Sequence, residues 1–185
     1  MELENVILSD TWNLYLHYKD LGECYNDNIE KLMEINDIFT FWRTYNNIPK
    51  TYDIFSDGVN KKIMKRNGAT PCAYSFFRKD ISPRWEDPKN TNGFELSIRN
   101  SKDFLKLEND WLNSLLVLIS NENEMYKHIN GIRVVDCTKN TSVLYRIEYW
   151  FDSNEHREYF EKNLRDFFNL QEKIIYRSHV DIKET

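Results

Sequence analysis

The strongest candidate for chemistry in this sequence is a tryptophan in a polar turn. Trp85 lies within residues 82–90, and the local pattern gives no reason for a large apolar side chain there. A loop tryptophan that is flanked by prolines and followed by the carboxylates of Glu86 and Asp87 is typical of a binding side chain. An aromatic anchor that folds back onto the core fits the same pattern equally well.

Catalytic patterns are absent from the sequence. It contains no G-x-G-x-x-G run, no P-loop, no HEXXH and no histidine triad, and its four histidines are scattered. Glu86 and Asp87 are adjacent in a turn, so their carboxylates point apart and a joint acid–base role is poorly motivated. We therefore expect a binding protein, with an enzyme as the rival class.

Metal and cofactor sites are not expected either. The three cysteines, Cys24, Cys72 and Cys137, are odd in number and far apart, and no CxxC or Cys/His cluster with zinc spacing occurs. Reduced thiols in an intracellular protein are the natural interpretation. The sequence thus predicts no metal ligands and no cofactor.

Composition limits the class of protein further. A hydrophobic fraction of 41% and an aromatic fraction of 15% over 185 residues indicate a single globular domain, residues 1–185. No apolar run reaches the roughly 18–20 residues needed to span a bilayer, and residues 1–10 resemble a partly flexible arm rather than a signal peptide. The net charge of −5 argues against binding nucleic acid through its backbone, but not against recognition of one base.

The elements that must position Trp85 can be predicted from periodicity. Alternation predicts strands at 12–18, 29–35, 73–78, 94–99, 132–137, 143–150 and 173–178. Helical spacing predicts three helices, capped by Asn36 or Asp37, opened by Ser101, and capped by Ser153 or Asn154. Because several strands are joined by short turns, we expect an α+β fold with an antiparallel sheet and helices on one face.

A loop-like insertion is predicted at about residues 50–72. It carries a basic cluster from Lys61 to Arg66, which is unusual in an acidic protein. One hypothesis is that the cluster contacts RNA or a dedicated partner, and the alternative is a solvated insertion without a role.

Several segments together resemble the translation initiation factor 4E family over roughly residues 6–181. The matching segments are Tyr74-Ser75-Phe76-Phe77, Pro83-Arg84-Trp85-Glu86-Asp87-Pro88-Lys89-Asn90, Phe41-Trp42-Arg43-Thr44-Tyr45, Trp111-Leu112-Asn113-Ser114-Leu115-Leu116 and Tyr176-Arg177-Ser178-His179. The resemblance implies a strongly curved antiparallel sheet of about eight strands. Three helices would pack on its convex face, and a ligand slot would lie on its concave side.

The resemblance also implies a ligand, the 7-methylguanosine cap of messenger RNA. Methylation at N7 makes guanine a flat cation, and the family pattern places it between the rings of Tyr25 and Trp85. Glu86 would accept hydrogen bonds from guanine N1–H and the 2-amino group. Many relatives have tryptophan at the Tyr25 position. Tyrosine is found in a class that includes translational repressors, so promotion and repression both remain open.

The sequence departs from the family at the cap phosphates. Relatives carry arginine or lysine at three positions that align with Glu95, Cys137 and Ser142, none of which is basic. The nearby candidates for phosphate or RNA contacts are Lys139, Arg146, Arg84 and Lys89. We therefore expect affinity to come more from base stacking, or from nucleotides after the cap, than in typical relatives.

A second surface is implied on the helical side. In the family, this face binds a short helical 4E-binding motif of scaffold or inhibitor proteins, in the helix-in-groove mode. The matching positions are Leu8, Ile38, Trp42, Leu112, Asn113 and Leu116. Relatives commonly carry an acidic residue where Asn113 stands, so partner specificity is expected to differ.

The predicted function is cap binding in translation initiation with recruitment of a scaffold protein. The expected protein is cytoplasmic, without a membrane association, and a monomer outside its complex. Two alternatives stay open: a cap-binding translational repressor, and a protein-interaction module with a degenerate cap pocket.

Overall fold

In the part of the chain that the structure describes, seven antiparallel strands form one sheet in the order β2-β1-β3-β5-β6-β4-β7. The computed structural model describes residues 5–19, 28–60, 68–100, 103–120, 124–139, 141–170 and 173–182. The strands are β1 (Ile7–Lys19), β2 (Ile29–Asp37), β3 (Thr70–Arg78), β4 (Phe94–Asn100), β5 (Ile129–Asp136), β6 (Tyr145–Phe151) and β7 (Ile175–Ser178). The predicted α+β fold with a curved antiparallel sheet is confirmed. The predicted count of about eight strands is slightly wrong, since the described residues form seven.

Five helices within the described residues accompany the sheet. They are α1 (Ile38–Asn47), α2 (Thr51–Ile54), α3 (Phe104–Ser120), α4 (Arg157–Phe167) and α5 (His179–Ile182), with a 3-10 turn at Glu124–His128. The three long helices are those predicted, and Asp37 caps α1 by accepting a hydrogen bond from the Thr40 N–H at 2.8 Å. Among the described helices, none has the length and apolarity that crossing a bilayer requires.

Some predicted boundaries differ from the structure. The residue immediately before α4 is His156, which has a left-handed backbone with φ 61° and makes no side-chain cap. The prediction that Ser153 or Asn154 caps this helix is therefore wrong. β1 begins at Ile7, inside the predicted N-terminal arm. α3 begins at Phe104 rather than at Ser101, and the Asp103 side chain accepts a hydrogen bond from the Lys106 N–H at 2.8 Å.

The first part of the predicted insertion belongs to the core. Thr51, Ile54 and Phe55 are buried, and the Phe55 ring stacks on Tyr145 with centroids 6.0 Å apart. Residues 61–67, with the basic cluster, lie outside the described residues. The prediction of a loop from residue 50 is therefore wrong for residues 51–55.

A buried carboxylate joins the helices at this place. Glu108 in α3 accepts hydrogen bonds from the Tyr45 hydroxyl at 2.5 Å and from the Thr51 N–H and hydroxyl at 2.9 and 2.6 Å. Burial, followed by the contact with Glu108, raises the pKa of Tyr45. These bonds hold α1 and α2 against α3.

The two faces of the sheet carry different side chains. On the helix-covered face, alternate residues such as Trp12, Leu14 and Phe76 form the main apolar core with the helices. The opposite face, which we call the concave face, carries polar and charged side chains at the intervening positions. They include Asn13, His17, Ser75, Arg133 and Glu148.

Candidate functional site

The turn after β3 is fixed by hydrogen bonds from its own side chains. The Asp87 carboxylate accepts from the backbone N–H of Ser82 at 2.8 Å and of Lys89 at 2.9 Å. The buried Asn90 side chain donates to the backbone oxygens of Ser82 and Arg84 at 2.9 and 2.7 Å. Because these bonds replace those of a helix or strand, a segment without regular structure keeps one shape.

The same turn is tied to two distant parts of the chain. The Asn130 side chain in β5 donates to Asn90 Oδ1 at 3.0 Å. His179 donates from Nδ1–H to the Asn90 backbone oxygen at 2.7 Å, and from its backbone N–H to Gly93 at 3.0 Å. A Cβ on Gly93 would collide with the backbone oxygen of Phe151, so this close approach requires glycine.

An apolar cluster on the concave face supports the Trp85 ring. The buried side chains of Phe77, Ile81 and Trp150 form it, and Trp85 and Tyr15 pack against it while staying partly exposed. The Phe77 and Trp150 rings meet edge to face, with centroids 5.4 Å apart. The Trp85 ring is therefore held in place and still presents surface to solvent, as a stacking platform requires.

Of the two other residues expected to contact the base, one is described. Glu86 is exposed next to Trp85, and its carboxylate makes no hydrogen bond to another residue in the described part of the chain. Tyr25 lies outside the described residues, within residues 20–27 between β1 and β2. Its pairing with Trp85 stays a prediction.

A row of charged side chains crosses the concave face beside the apolar cluster. The Glu148 carboxylate is almost fully buried between Arg133, at 3.6 Å, and Arg146, in direct contact. It also accepts a hydrogen bond from Trp150 Nε1–H at 3.2 Å. Burial opposes the ionisation of Glu148, but the two guanidinium groups outweigh it and lower the pKa.

A second buried carboxylate extends this row. Glu95 in β4 lies 3.4 Å from the guanidinium of Arg177 in β7, and it pairs across the strands with Trp150. Burial, followed by the charge of Glu148, raises the pKa of Glu95 to about 7. Three arginines thus face two carboxylates, of which one changes charge near neutral pH. The concave face is locally positive in an acidic protein.

The four basic residues predicted as phosphate ligands separate into two groups. Arg146 lies in the charged row with a side chain 20% exposed, and its buried Nε makes no hydrogen bond to the residues that the structure describes. Arg84 lies near the buried His17 on the same face. Lys89 and Lys139 are exposed, and Lys139 stands in the turn between β5 and β6.

Two further arginines of the site, Arg133 and Arg177, were not predicted. The signal for Arg133 was present in the hairpin, because alternation puts residues 146, 148 and 150 on one face and residue 133 opposite them. Of the three positions at which relatives were expected to be basic, Glu95 lies in the charged row. Cys137 and Ser142 lie near the β5–β6 turn.

Metal binding finds no support among the residues that the structure describes, since no three or more His, Cys, Asp or Glu side chains group there. Cys72 and Cys137 are free thiols. Burial raises the pKa of Cys72 to about 11 and also raises that of Cys137. Both stay protonated at neutral pH and are weak nucleophiles.

The residues predicted for partner binding lie on the helix-covered side, in β1, α1 and α3. None of Leu8, Ile38, Trp42, Leu112, Asn113 and Leu116 is fully buried. Trp42 is 37% exposed, and the four aliphatic side chains pack against the core with part of their surface open. Phe39, which was not predicted, is 40% exposed on the same helix as Trp42. An apolar surface of this kind is typical of a protein-binding face.

Residues 7–185 match the family model described as eukaryotic initiation factor 4E. The chain is 26% identical over 181 residues to translation initiation factor 4E of Homo sapiens, covering 94% of this chain and 76% of that protein. It is 25% identical over 181 residues to factor 4E-1B of Danio rerio, covering 94% and 77%.

Solved structures of eIF4E proteins share the fold of this chain. One is C. elegans eIF4E-3 in complex with the 4E-binding protein Mextli and a cap analogue, with a TM-score of 0.77 and 19% identity over 98% of this chain and 97% of that one. Another is a schistosome eIF4E complexed with m7GpppA and 4E-BP, with a TM-score of 0.75 and 21% identity over 97% and 91%. At these identities the likeness establishes the fold alone.

Proposed function

The chain belongs to the eukaryotic initiation factor 4E family, and from that premise we propose that it binds the 7-methylguanosine cap of messenger RNA in translation initiation. The observation that carries the proposal is the turn after β3. It holds a partly exposed Trp85 on an apolar floor with the Glu86 carboxylate beside it. The relatives whose structures contain cap analogues support the same ligand.

Recognition of the base follows from the chemistry of these groups. The methylated guanine is a flat cation that stacks on the Trp85 ring, with Tyr25 proposed on its other side. Each aromatic contact contributes on the order of 1–3 kcal/mol. Glu86 accepts hydrogen bonds from N1–H and the 2-amino group, and it supplies the countercharge for the methylated ring.

The phosphates are proposed to lie along the concave face. Arg146 is held by Glu148, and Arg84 lies close enough to the concave face for its charge to act on His17. Arginines oriented in advance by a buried carboxylate lose little entropy when they form charge-assisted bonds. This arrangement would replace the three basic positions that relatives use.

The helix-covered side is proposed to recruit a scaffold or inhibitor protein through a short helical motif. Trp42 and the partly open aliphatic side chains around it form the apolar surface that such a helix needs. The relatives crystallised with 4E-binding proteins support this kind of partner. Asn113 gives no charge to pair with a basic side chain of the partner.

Several finer points belong to the same proposal. The protein acts as a binding factor rather than an enzyme, works in the cytoplasm, and is a single domain over residues 1–185. Cap release from capped RNA incubated with the protein would contradict the first point. A cap-binding repressor and an interaction module with a degenerate pocket are the alternatives.

Retention on a methylguanosine-triphosphate resin tests the cap-binding proposal. We expect wild-type protein to be retained and not to be eluted by unmethylated GTP, and we expect Trp85→Ala and Glu86→Gln to pass through. Trp42→Ala, on the opposite face, is the matched control and should be retained. A folded wild-type protein that passes through the resin would support the degenerate module instead.

A further inference from the structure

A cavity of about 470 Å³ opens at the end of the sheet remote from Trp85. It lies where the end of β1 and the start of β3 meet the segment after α2 and the turn after β5. Its walls are Lys19, Ile54, Ser56, Thr70, Pro71, Cys72, Asp136, Thr138 and Lys139. The cavity is separate from the apolar cluster beneath Trp85.

The polar groups of this cavity suit an anion. Lys19 and Lys139 are both exposed, and neither pairs with a carboxylate in the ranges that the structure describes. The one acidic side chain, Asp136, is already engaged, because its two oxygens accept from the backbone N–H of Ser56 and of Thr138 at 2.9 Å each. The donor groups that stay open in the walls are the ammonium groups of Lys19 and Lys139 and the hydroxyl groups beside them.

Seen from the Trp85 turn, the cavity lies beyond the charged row that contains Arg146 and Glu148. In β3, the floor residue Phe77 and the cavity residue Cys72 are five positions apart, which corresponds to roughly 17 Å along a strand. Arg146 lies between these ends, because it pairs with Val135 of β5 and Val135 pairs with Ala73 of β3. A ligand that starts at Trp85 and follows the basic side chains therefore reaches Lys139.

Part of the cavity wall belongs to the helix-covered face, so the cavity reaches around the rim of the sheet. Asp136 is two residues beyond Val134, whose side chain is in the main core, so the two share the helix-covered face. Lys139 stands in the turn at the rim itself. This location distinguishes Lys139 from Arg146, although both were predicted as phosphate ligands.

We propose that this cavity binds backbone phosphates of the single-stranded RNA that follows the cap, through Lys19 and Lys139. The inference rests on the proposed function, since cap binding is what would bring an RNA chain to this end of the sheet. The cap triphosphate and the nucleotides that follow it would together span the roughly 17 Å between the two ends of β3. The overall negative charge excludes a wide basic surface, so the contact is local.

The test compares a short capped ligand with a long one. Affinities of wild type and of Lys19→Gln/Lys139→Gln are measured for methylated GTP and for a capped, unstructured ten-nucleotide RNA. We expect unchanged affinity for methylated GTP and about a tenfold loss for the capped RNA at low salt. We also expect the slope of log K against log salt concentration to become shallower by about 1.4 for RNA binding, which is about 0.7 for each of two phosphates.

Lys162→Gln/Lys173→Gln is the matched control, because both lysines are exposed elsewhere. It should bind both ligands as wild type does. Equal losses for the two ligands in the cavity variant would mean that these lysines hold the cap phosphates, and no loss for either would mean that RNA does not enter the cavity. Either result overturns the inference and leaves the cap-binding proposal intact.

Two further outcomes are distinct from these. Wild-type protein that fails to bind methylated GTP contradicts the proposed function, and the inference with it. A labelled polyglutamate peptide provides the second outcome. If Lys19→Gln/Lys139→Gln lost binding to this peptide but bound capped RNA as wild type does, the cavity would be assigned to an acidic protein segment and the RNA inference would be overturned.

Discussion

At the scale of single residues, the Glu95 carboxyl ties stability to pH. Its pKa rises from 4.5 to about 7 on folding, so between these values the folded state holds a proton that the unfolded chain releases. The contribution of Glu95 to stability therefore falls as pH rises from 5 to 8. We expect Glu95→Gln to match wild type near pH 5 and to exceed it at pH 8 by on the order of 1–3 kcal/mol.

Urea denaturation at pH 5, 6, 7 and 8 measures this difference. The exposed Glu155 provides the control, because Glu155→Gln should leave the pH profile of stability unchanged. A Glu95→Gln effect of the same size at all four pH values would contradict the role given to burial.

Replacement of the neighbouring carboxylate, Glu148, should lower stability rather than raise it. Glu148→Gln removes the countercharge of Arg133 and Arg146, which then remain largely buried without it. Breaking such a pair costs about 3–5 kcal/mol, so we expect a lower urea midpoint throughout pH 5–8. A midpoint equal to that of wild type would show that solvent compensates the two arginines.

At the scale of elements, the turn after β3 depends on Asn90. Asn90→Ala leaves the Ser82 and Arg84 oxygens without their side-chain donor, and it removes one of the two acceptors of Asn130 Nδ2. We expect a loss of about 1–3 kcal/mol in stability. We also expect faster amide exchange in the turn and weaker retention on cap resin, although Asn90 itself is buried away from any ligand.

Asn92→Ala is the matched control, since Asn92 is exposed in the same turn. It should change neither amide exchange nor retention. If Asn90→Ala lowered stability but left cap affinity unchanged, the orientation of Trp85 would depend on its apolar floor rather than on the turn.

The elements differ in how well periodicity predicts them. The long helices and the strands were predicted because their own alternation or helical spacing carries the signal. α2 was missed because a distant group holds it, namely Glu108, which bonds to Thr51. The start of α4 was missed because His156 adopts a left-handed backbone without a side-chain cap, for which the residue type gives no warning.

At the scale of the whole molecule, the proposed cap and partner surfaces lie on opposite faces of the sheet. We expect Trp42→Ala to lose binding to a helical 4E-binding peptide while keeping retention on cap resin, and Trp85→Ala to do the reverse. Because Trp42 is 37% exposed but also packs edge to face against Phe41 and Tyr45, its removal should lower stability without unfolding the protein. Peptide titration and thermal melting check both statements.

Loss of both activities in a Trp42→Ala variant that is still folded at the assay temperature would contradict this separation. It would mean that the helices and the turn after β3 communicate through the sheet. Leu105→Ala, an exposed apolar position of α3 outside the predicted surface, is the control for a general loss of apolar area.

The candidate site was predictable where its residues are contiguous. Trp85 and Glu86 lie in one continuous polar segment, in which a large apolar side chain stands out from the sequence alone. The charged row depends on strand register, which brings Arg133 opposite Glu148 although 15 positions separate them. A single sequence does not fix such pairings, because a shift by one residue would turn every side chain to the other face.

The distribution of the tryptophans makes the protein its own optical reporter. Trp12, Trp111 and Trp150 are fully buried, whereas Trp42 and Trp85 keep open surface on opposite faces. Stacking of a base should quench the emission of Trp85, and docking of a helix should shift that of Trp42 to the blue. Both binding events could then be followed in one cuvette without a label, and Trp42→Phe and Trp85→Phe would assign each signal.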